Sequence, residues 1–465
     1  MKSIKIILCI ILFFLGMQAF SQQSMLFKGK LDNYSGRKVY LLSLKGNKKV
    51  RIDSTTVVKG CFQFTYRNFL PKGLYRLQFN DTLSFDFVMN NEPLIVIESD
   101  AKNIVRNCKV LTSYENMLYY QYLSYNKIKN TERDSLTLVG KKLFEADKVK
   151  NTDALNLLIS KIDSNDSKIE DHAWSLVNSS PKLFSAELIK SLLAPKYSDY
   201  RKNNPNAPKY KTMNDFYKDH FFDNINFADT NLLYTDIIYK ACSGYLSTFS
   251  ETPSAENFKQ ICDFILSQTN KSKPVFDYAL NLLIQTFEAS EYDEVFIYLT
   301  EKYFLQTTCD QDVKAKTLAE KVAALKNLKI GKIAPNIILP DSTGKSIDLQ
   351  SVKSKLVLLL FWSSQCEHCE AMMPQLILVY EKYKSLGLEI YAVSLDTDKK
   401  NWVTAVQKNK MNWINVSDFK SVDGEFTKKY NVWQTPTFIL LDQNQKILAK
   451  PFTPKQIDEK LGEIL

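Results

Sequence analysis

Between Met25 and Cys108 hydrophobic and polar positions alternate with period two. In Phe62-Gln63-Phe64-Thr65-Tyr66-Arg67 the rings fall on one face and the polar groups on the other, and Tyr75, Leu77, Phe79 and then Leu83, Phe85, Phe87, Met89 repeat the rule. Successive side chains of a strand point to opposite faces, so these runs predict half-buried antiparallel strands. Pro71-Lys72-Gly73, Asn80-Asp81 and Asn90-Asn91-Glu92-Pro93 supply the turns between them. A small sandwich over residues 22–110 is expected, with no titratable cluster that suggests chemistry.

From Ser113 to Leu328 the period becomes helical. Tyr119, Tyr122 and Tyr125 recur every three residues, Leu183, Leu188, Ile189, Leu192 and Leu193 form a stripe between Pro181 and Pro195, and Leu282, Leu283 and Phe287 follow Pro274. The spacing predicts about eight helices over residues 111–329. Tyr197 to Lys211, with two prolines and three asparagines, is the one long loop expected there. The tyrosine stripe reads as a helix-packing face in preference to a peptide groove.

After the linker Lys329-Ile330-Gly331-Lys332 strand and helix signals alternate to the end of the chain. An apolar strand is expected from Leu356, a helix from Cys369 to Leu386, a strand from Leu388, and a closing helix from Pro454. Such alternation predicts an α/β sheet with helices on both faces over residues 330–465.

The chemistry is concentrated where Leu356 to Trp362 leads through Ser363-Ser364-Gln365 into Cys366-Glu367-His368-Cys369. A strand that feeds a helix here puts Cys366 at the helix N-terminus, where unpaired N–H groups and the positive dipole end favour a thiolate. Cys369 is close enough to attack a mixed disulfide. His368 is expected to add positive charge, depress the Cys366 pKa and make the pair more oxidising, with Glu367 as a second tuning group. A zinc site would need a second ligand pair, and none of Cys61, Cys108, Cys242, Cys262 or Cys309 has a cysteine or histidine two or three residues away. A c-type haem would need His directly after the second cysteine, where Glu370 stands. No metal and no cofactor are expected beyond the redox-active Cys366–Cys369 disulfide itself.

Composition narrows the partners. The 465 residues imply two or three domains. The 61 Lys+Arg against 51 Asp+Glu leave +10, yet only seven arginines occur, Arg201 is the last, and no lysine run carries interleaved aromatics. Nucleic acid is therefore not an expected partner. Three histidines, His172, His220 and His368, are too scattered for a histidine-rich metal site. At the start, Lys2 and Lys5 precede a ten-residue apolar run, Ile6 to Leu15, followed by Ala19-Phe20-Ser21. That is the pattern of a secretory signal peptide over residues 1–21, too short to span a bilayer, and it predicts a mature chain from near Gln22 in the periplasm or cell envelope. Cys9 would leave with it, and most of the scattered cysteines read as small buried hydrophobes.

The stretch Ile333 to Leu465 resembles the thioredoxin-like redoxin modules of TlpA type, the extracytoplasmic thiol-disulfide oxidoreductases. The resemblance is carried by Ala334-Pro335, Asp341-Ser-Thr-Gly344-Lys345, Phe361-Trp362 before the cysteines, Pro374 after them, Val393-Ser394-Leu395-Asp396, and Thr435-Pro436-Thr437. It implies a cis Pro436 beside Cys366, with Trp362, Thr435 and Pro436 forming a surface where an extended peptide pairs with the Thr435 backbone. It implies a kink at Pro374, protein dithiol or disulfide substrates, and a membrane electron donor or acceptor. Two acids of the wider family are replaced, one by Leu360 and one by Met372, so proton removal from Cys369 falls to Glu367, Glu370 or a residue from elsewhere. The N-terminal zones resemble regions of unknown role that precede such modules in Gram-negative envelope proteins. The expected whole is a multidomain α+β chain: an N-terminal antiparallel β-sandwich, a central all-α region and a C-terminal α/β thioredoxin fold. An envelope scaffold with a vestigial module is the alternative raised by the missing acids. A peroxidase is the other, with Ser363 as the nearest analogue of its usual threonine.

Overall fold

The computed structural model describes residues 24–205, 210–250, 252–306, 313–432 and 434–465. The expected signal segment, Cys9 and Cys309 lie outside the described residues. The described residues form two compact units, one up to Gln285 and the other from Thr286 to Leu465.

The first unit opens with eight strands: β1 (Met25–Asp32), β2 (Lys38–Lys45), β3 (Lys48–Thr56), β4 (Cys61–Tyr66), β5 (Gly73–Gln78), β6 (Ser84–Met89), β7 (Leu94–Asp100) and β8 (Lys109–Thr112). They make two four-stranded sheets, in the orders β4-β1-β7-β8 and β3-β2-β5-β6. The period-two hydrophobics meet between them: Phe27 of β1 lies 4.7 Å from Phe87 of β6, ring centre to ring centre, and Phe62 of β4 lies 5.5 Å from Phe79. One pairing departs from the antiparallel expectation. β1 and β7 run parallel, from Leu26 opposite Leu94 to Asp32 opposite Asp100. β7 follows β6 of the other sheet, and after that crossing it enters beside β1 in the same direction.

Ten α-helices lie between Tyr114 and Asn327 among the described residues, two more than the sequence suggested. A 34-residue helix, Tyr114–Asp147, pairs with the 28-residue helix Thr152–Ser179. Tyr119, Tyr120 and Tyr122 are buried at its base and Tyr125 packs 4.0 Å from the His172 ring, so the stripe is a packing face. The same helix start carries two buried polar side chains. Asn116 accepts from the Val88 N–H and donates to the Val88 carbonyl of β6, both at 2.8 Å. Glu115 accepts from the N–H groups of Phe184 (3.0 Å) and Ser185 (2.7 Å), capping the helix Phe184–Ser191. The expected loop after Tyr197 begins instead with a helix, Tyr197–Asn203. One turn sets Tyr197 and Tyr200 on the same face, 5.0 and 5.3 Å from Phe216.

The second unit holds the helices Asp293–Leu299 and Val313–Asn327, a hairpin of β9 (Ile338–Pro340) and β10 (Ser346–Asp348), and a five-stranded sheet. Its strands are β11 (Leu356–Trp362), β12 (Leu388–Ser394), β13 (Ile414–Ser417), β14 (Thr437–Asp442) and β15 (Ile447–Ala449), in the order β13-β12-β11-β14-β15. β11 and β12 pair in parallel, as do β12 and β13, whereas β14 runs antiparallel to β11 and β15 to β14. Every residue of β11 is buried, as a central strand covered on both faces requires. Leu358, Leu360 and Trp362 face a layer with Met373, Leu376, Ile457 and Leu461, while Val357, Leu359 and Phe361 face Ile337, Leu339 and Tyr430. No helix among the described residues is long and apolar enough to cross a membrane.

Candidate active site

β11 ends at Trp362, and the helix Glu367–Tyr383 begins two residues earlier than its sequence pattern suggested. The reason is its cap. Cys366 stands at the N-cap with extended backbone (φ −91°, ψ 111°), and its sulfur accepts from the Cys369 N–H at 3.3 Å. A cysteine thus does the work that serine or aspartate usually does at this position. The Cys366 Sγ–H also donates to the Thr435 carbonyl at 3.2 Å, and the Thr435–Pro436 peptide is cis. Both cysteines are thiols.

The two sulfurs sit in opposite environments. Cys366 is partly exposed; burial resists its ionisation, but the side chains of Thr435 and Cys369 and the N–H groups of Cys369 and His368 outweigh it and hold the thiol below the ordinary cysteine value. Cys369 is 2% exposed. Burial pushes its thiol up to about 12, and the N–H of Ser363 offsets only part of that. Cys366 therefore ionises more readily than Cys369.

Not every expected site residue takes its expected part. His368 is exposed and reaches Cys366 through its peptide N–H, in place of the expected ring charge. Glu367 is exposed in the first helical turn. Trp362 is a correction: at 2% exposure it packs in the core layer with Cys369 and Met373, so it supports the helix from below and presents no surface to a substrate. Thr435 and Pro436 are half-buried beside Cys366, and in the dithiol state the Thr435 carbonyl already holds the sulfur. Leu360 is buried, Met372 packs against the same layer, and Glu370 is exposed and paired with Lys408 at 3.0 Å. Pro374 lies inside the helix, just past its second turn.

One acid near the cysteines escaped the sequence reading as a site residue. Asp396, 4% exposed, follows β12 and accepts from Ser363 Oγ (2.8 Å), Ser364 N (3.0 Å), Ser364 Oγ (2.8 Å) and Ser394 Oγ (2.7 Å). In the sequence it is the aspartate that closes an apolar strand in Val393-Ser394-Leu395-Asp396, one of the stretches that carry the family resemblance. Among the described residues no group of three or more His, Cys, Asp or Glu is arranged to hold a metal ion.

A helix-capping cysteine, a buried second cysteine one turn on and a cis proline beside them stand at the end of a central strand of a thioredoxin-like fold. Residues 330–450 match the AhpC/TSA family, and residues 25–119 match a domain of unknown function, DUF4369. Thiol-disulfide oxidoreductase ResA of Bacillus thuringiensis is 37% identical over 145 residues, 30% of this chain and 79% of the relative. ResA of Bacillus subtilis is 31% identical over 126 residues, 27% of this chain and 69% of the relative. A solved thiol-disulfide oxidoreductase from Bacteroides fragilis is 32% identical, with 29% of this chain matching 100% of that one at a TM-score of 0.28. The chain belongs to the thioredoxin-like thiol-disulfide oxidoreductases. It is an oxidoreductase of that class, and the match with these relatives leaves more than half of its length outside it.

Proposed function

We propose that the protein is an exported enzyme that reduces or exchanges disulfides of other proteins through Cys366 and Cys369. The observation that carries this reading is the asymmetry of the pair: an acidified, accessible Cys366 at the helix cap and a buried, protonated Cys369 behind it. The Cys366 thiolate attacks one sulfur of a substrate disulfide and releases the other as a thiolate. Cys369 then loses its proton and attacks Cys366 Sγ, the Cys366–Cys369 bond forms, and the second substrate sulfur leaves. Two electrons and two protons pass to the substrate, and the reverse sequence oxidises a dithiol. An extended substrate strand is placed by the Thr435 backbone beside the cis bond. The signal-like residues 1–21 support a site of action outside the cytoplasm, with a membrane electron donor or acceptor restoring the pair.

Cys366→Ser is expected to abolish reduction of a protein disulfide by the reduced enzyme, and Cys369→Ser to accumulate mixed disulfides that resolve on reduction with dithiothreitol. Full turnover by Cys366→Ser sinks the reading. Mixed-disulfide partners recovered with Cys369→Ser from an envelope fraction identify the substrate.

A further inference from the structure

The catalytic turn is held from the neighbouring strand by a single buried carboxylate. Asp396 takes five hydrogen bonds from three serines: one from Ser363 Oγ, three from the N–H and hydroxyl of Ser364, and one from Ser394 Oγ. Its own N–H donates to Ser394 Oγ at 3.0 Å, and the next link of the same strand end, Leu395 N–H to the Trp362 carbonyl, is 2.8 Å. Ser363 is the pivot. Its carbonyl accepts from the Cys366 N–H at 3.2 Å, and its own N–H faces the Cys369 sulfur. The clamp therefore touches neither sulfur and bears on both.

We propose that Asp396 is the positioning residue of this site, fixing through Ser363 and Ser364 the turn that sets Cys366 at the helix cap and directs the Ser363 N–H at Cys369. The inference rests on the proposed roles of the two cysteines. Taking a carboxylate out of water is costly unless its lone pairs are filled, and here the filling groups all belong to the turn before the cysteines and the strand end beside it. A carboxylate charge can only oppose thiolate formation in its neighbourhood, by repulsion. Its retention is explained by geometry: a held turn keeps the N–H groups aimed at sulfur, and misaligned donors weaken steeply. The same clamp accounts for a helix that starts at Glu367 with a cysteine cap and no serine, threonine or aspartate to share the task.

The test reads the alkylation rate of Cys366 by iodoacetamide against pH in the full-length protein, site-resolved by mass spectrometry, with exposed Cys61 as internal reference. Asp396→Asn keeps the shape and removes two acceptor lone pairs and the charge. The expected result is a Cys366 profile displaced to higher pH, with the rate at pH 7 down about tenfold, the factor one pH unit carries. Ser364→Ala, which retains the charge, moves the profile the same way by less, and decides the matter should Asp396→Asn fail to fold. A profile displaced to lower pH in Asp396→Asn shows repulsion alone and overturns the proposal. So does an unchanged profile with a lowered Tm, which is a structural role only. A wild-type Cys366 no faster than Cys61 overturns instead the reading of the cysteine pair, whatever Asp396→Asn does.

Discussion

His368 acts on Cys366 through a peptide N–H that any residue except proline supplies, and this separates two substitutions usually treated alike. His368→Ala keeps the N–H and is expected to leave the reduction potential near its wild-type value. His368→Pro removes the donor, raises the Cys366 pKa and destabilises the reduced state, so the potential falls, by on the order of 30 mV or a tenfold change in equilibrium constant. A glutathione titration in which both variants shift equally counts against the peptide account. The pH sense follows from the same environment: the Cys366 thiol ionises below the ordinary cysteine value, so its reactivity extends to lower pH than an unperturbed cysteine's, whereas Cys369, pushed up to about 12, stays protonated at neutral pH. The placement of Cys366 and Cys369 at the start of a helix after β11 was legible in the sequence because a C-x-x-C at a strand-to-helix junction is a local signal. Asp396 was not, since the serines it holds lie 32 and 33 residues before it and only the parallel pairing of β11 with β12 brings them together.

At the scale of elements, periodicity read well where a single element makes its own pattern. The seven buried residues of β11 are an unbroken apolar run, and the alternating strands of the sandwich meet as their rings predict. Leu358→Ala, at a position with no exposure, leaves a cavity between the sheet and the active-site helix and is expected to lower unfolding stability by about 2–5 kcal/mol. Chemical denaturation monitored by tryptophan fluorescence measures it, and a loss under about 1 kcal/mol contradicts the packing described. What the pattern withheld are contacts between elements distant in sequence. The parallel β1–β7 pair depends on which sheet the chain last visited. The cap that Glu115 places on the helix Phe184–Ser191 joins groups 69 and 70 residues apart. The helix Tyr197–Asn203 was masked by flanking prolines and asparagines, although its tyrosines carried the i, i+3 spacing.

For the whole molecule, the break in composition and the break in packing fall at different places. The composition changes at Lys329–Lys332, but the second compact unit begins at Thr286. Leu328 is 1% exposed in the core of that unit, Gly331 N–H donates to the Ile447 carbonyl and Ile447 N–H to the Lys332 carbonyl, both at 2.8 Å, and Lys450 pairs with Asp293 at 2.7 Å. A stretch with the composition of a linker is laced to β15, which no reading of residue types announces. The proposed export makes a further whole-chain prediction: protein recovered from the envelope begins near Gln22 by N-terminal sequencing or intact mass, and an unprocessed chain there counts against the signal-peptide reading. The Asn116 side chain, finally, has a meaning for the molecule's life among its own copies. β6 ends its sheet, and a bare strand edge offers its peptide groups to any passing chain. By meeting both the N–H and the carbonyl of Val88, Asn116 stands in for a missing neighbour strand at that residue of the edge, as the Tyr120 hydroxyl does at the Asp86 carbonyl. Asn116→Ala is expected to destabilise the fold by about 1–3 kcal/mol through the unpaired peptide and to raise light scattering on mild heating, the second effect marking a protein that has lost its guard against self-association.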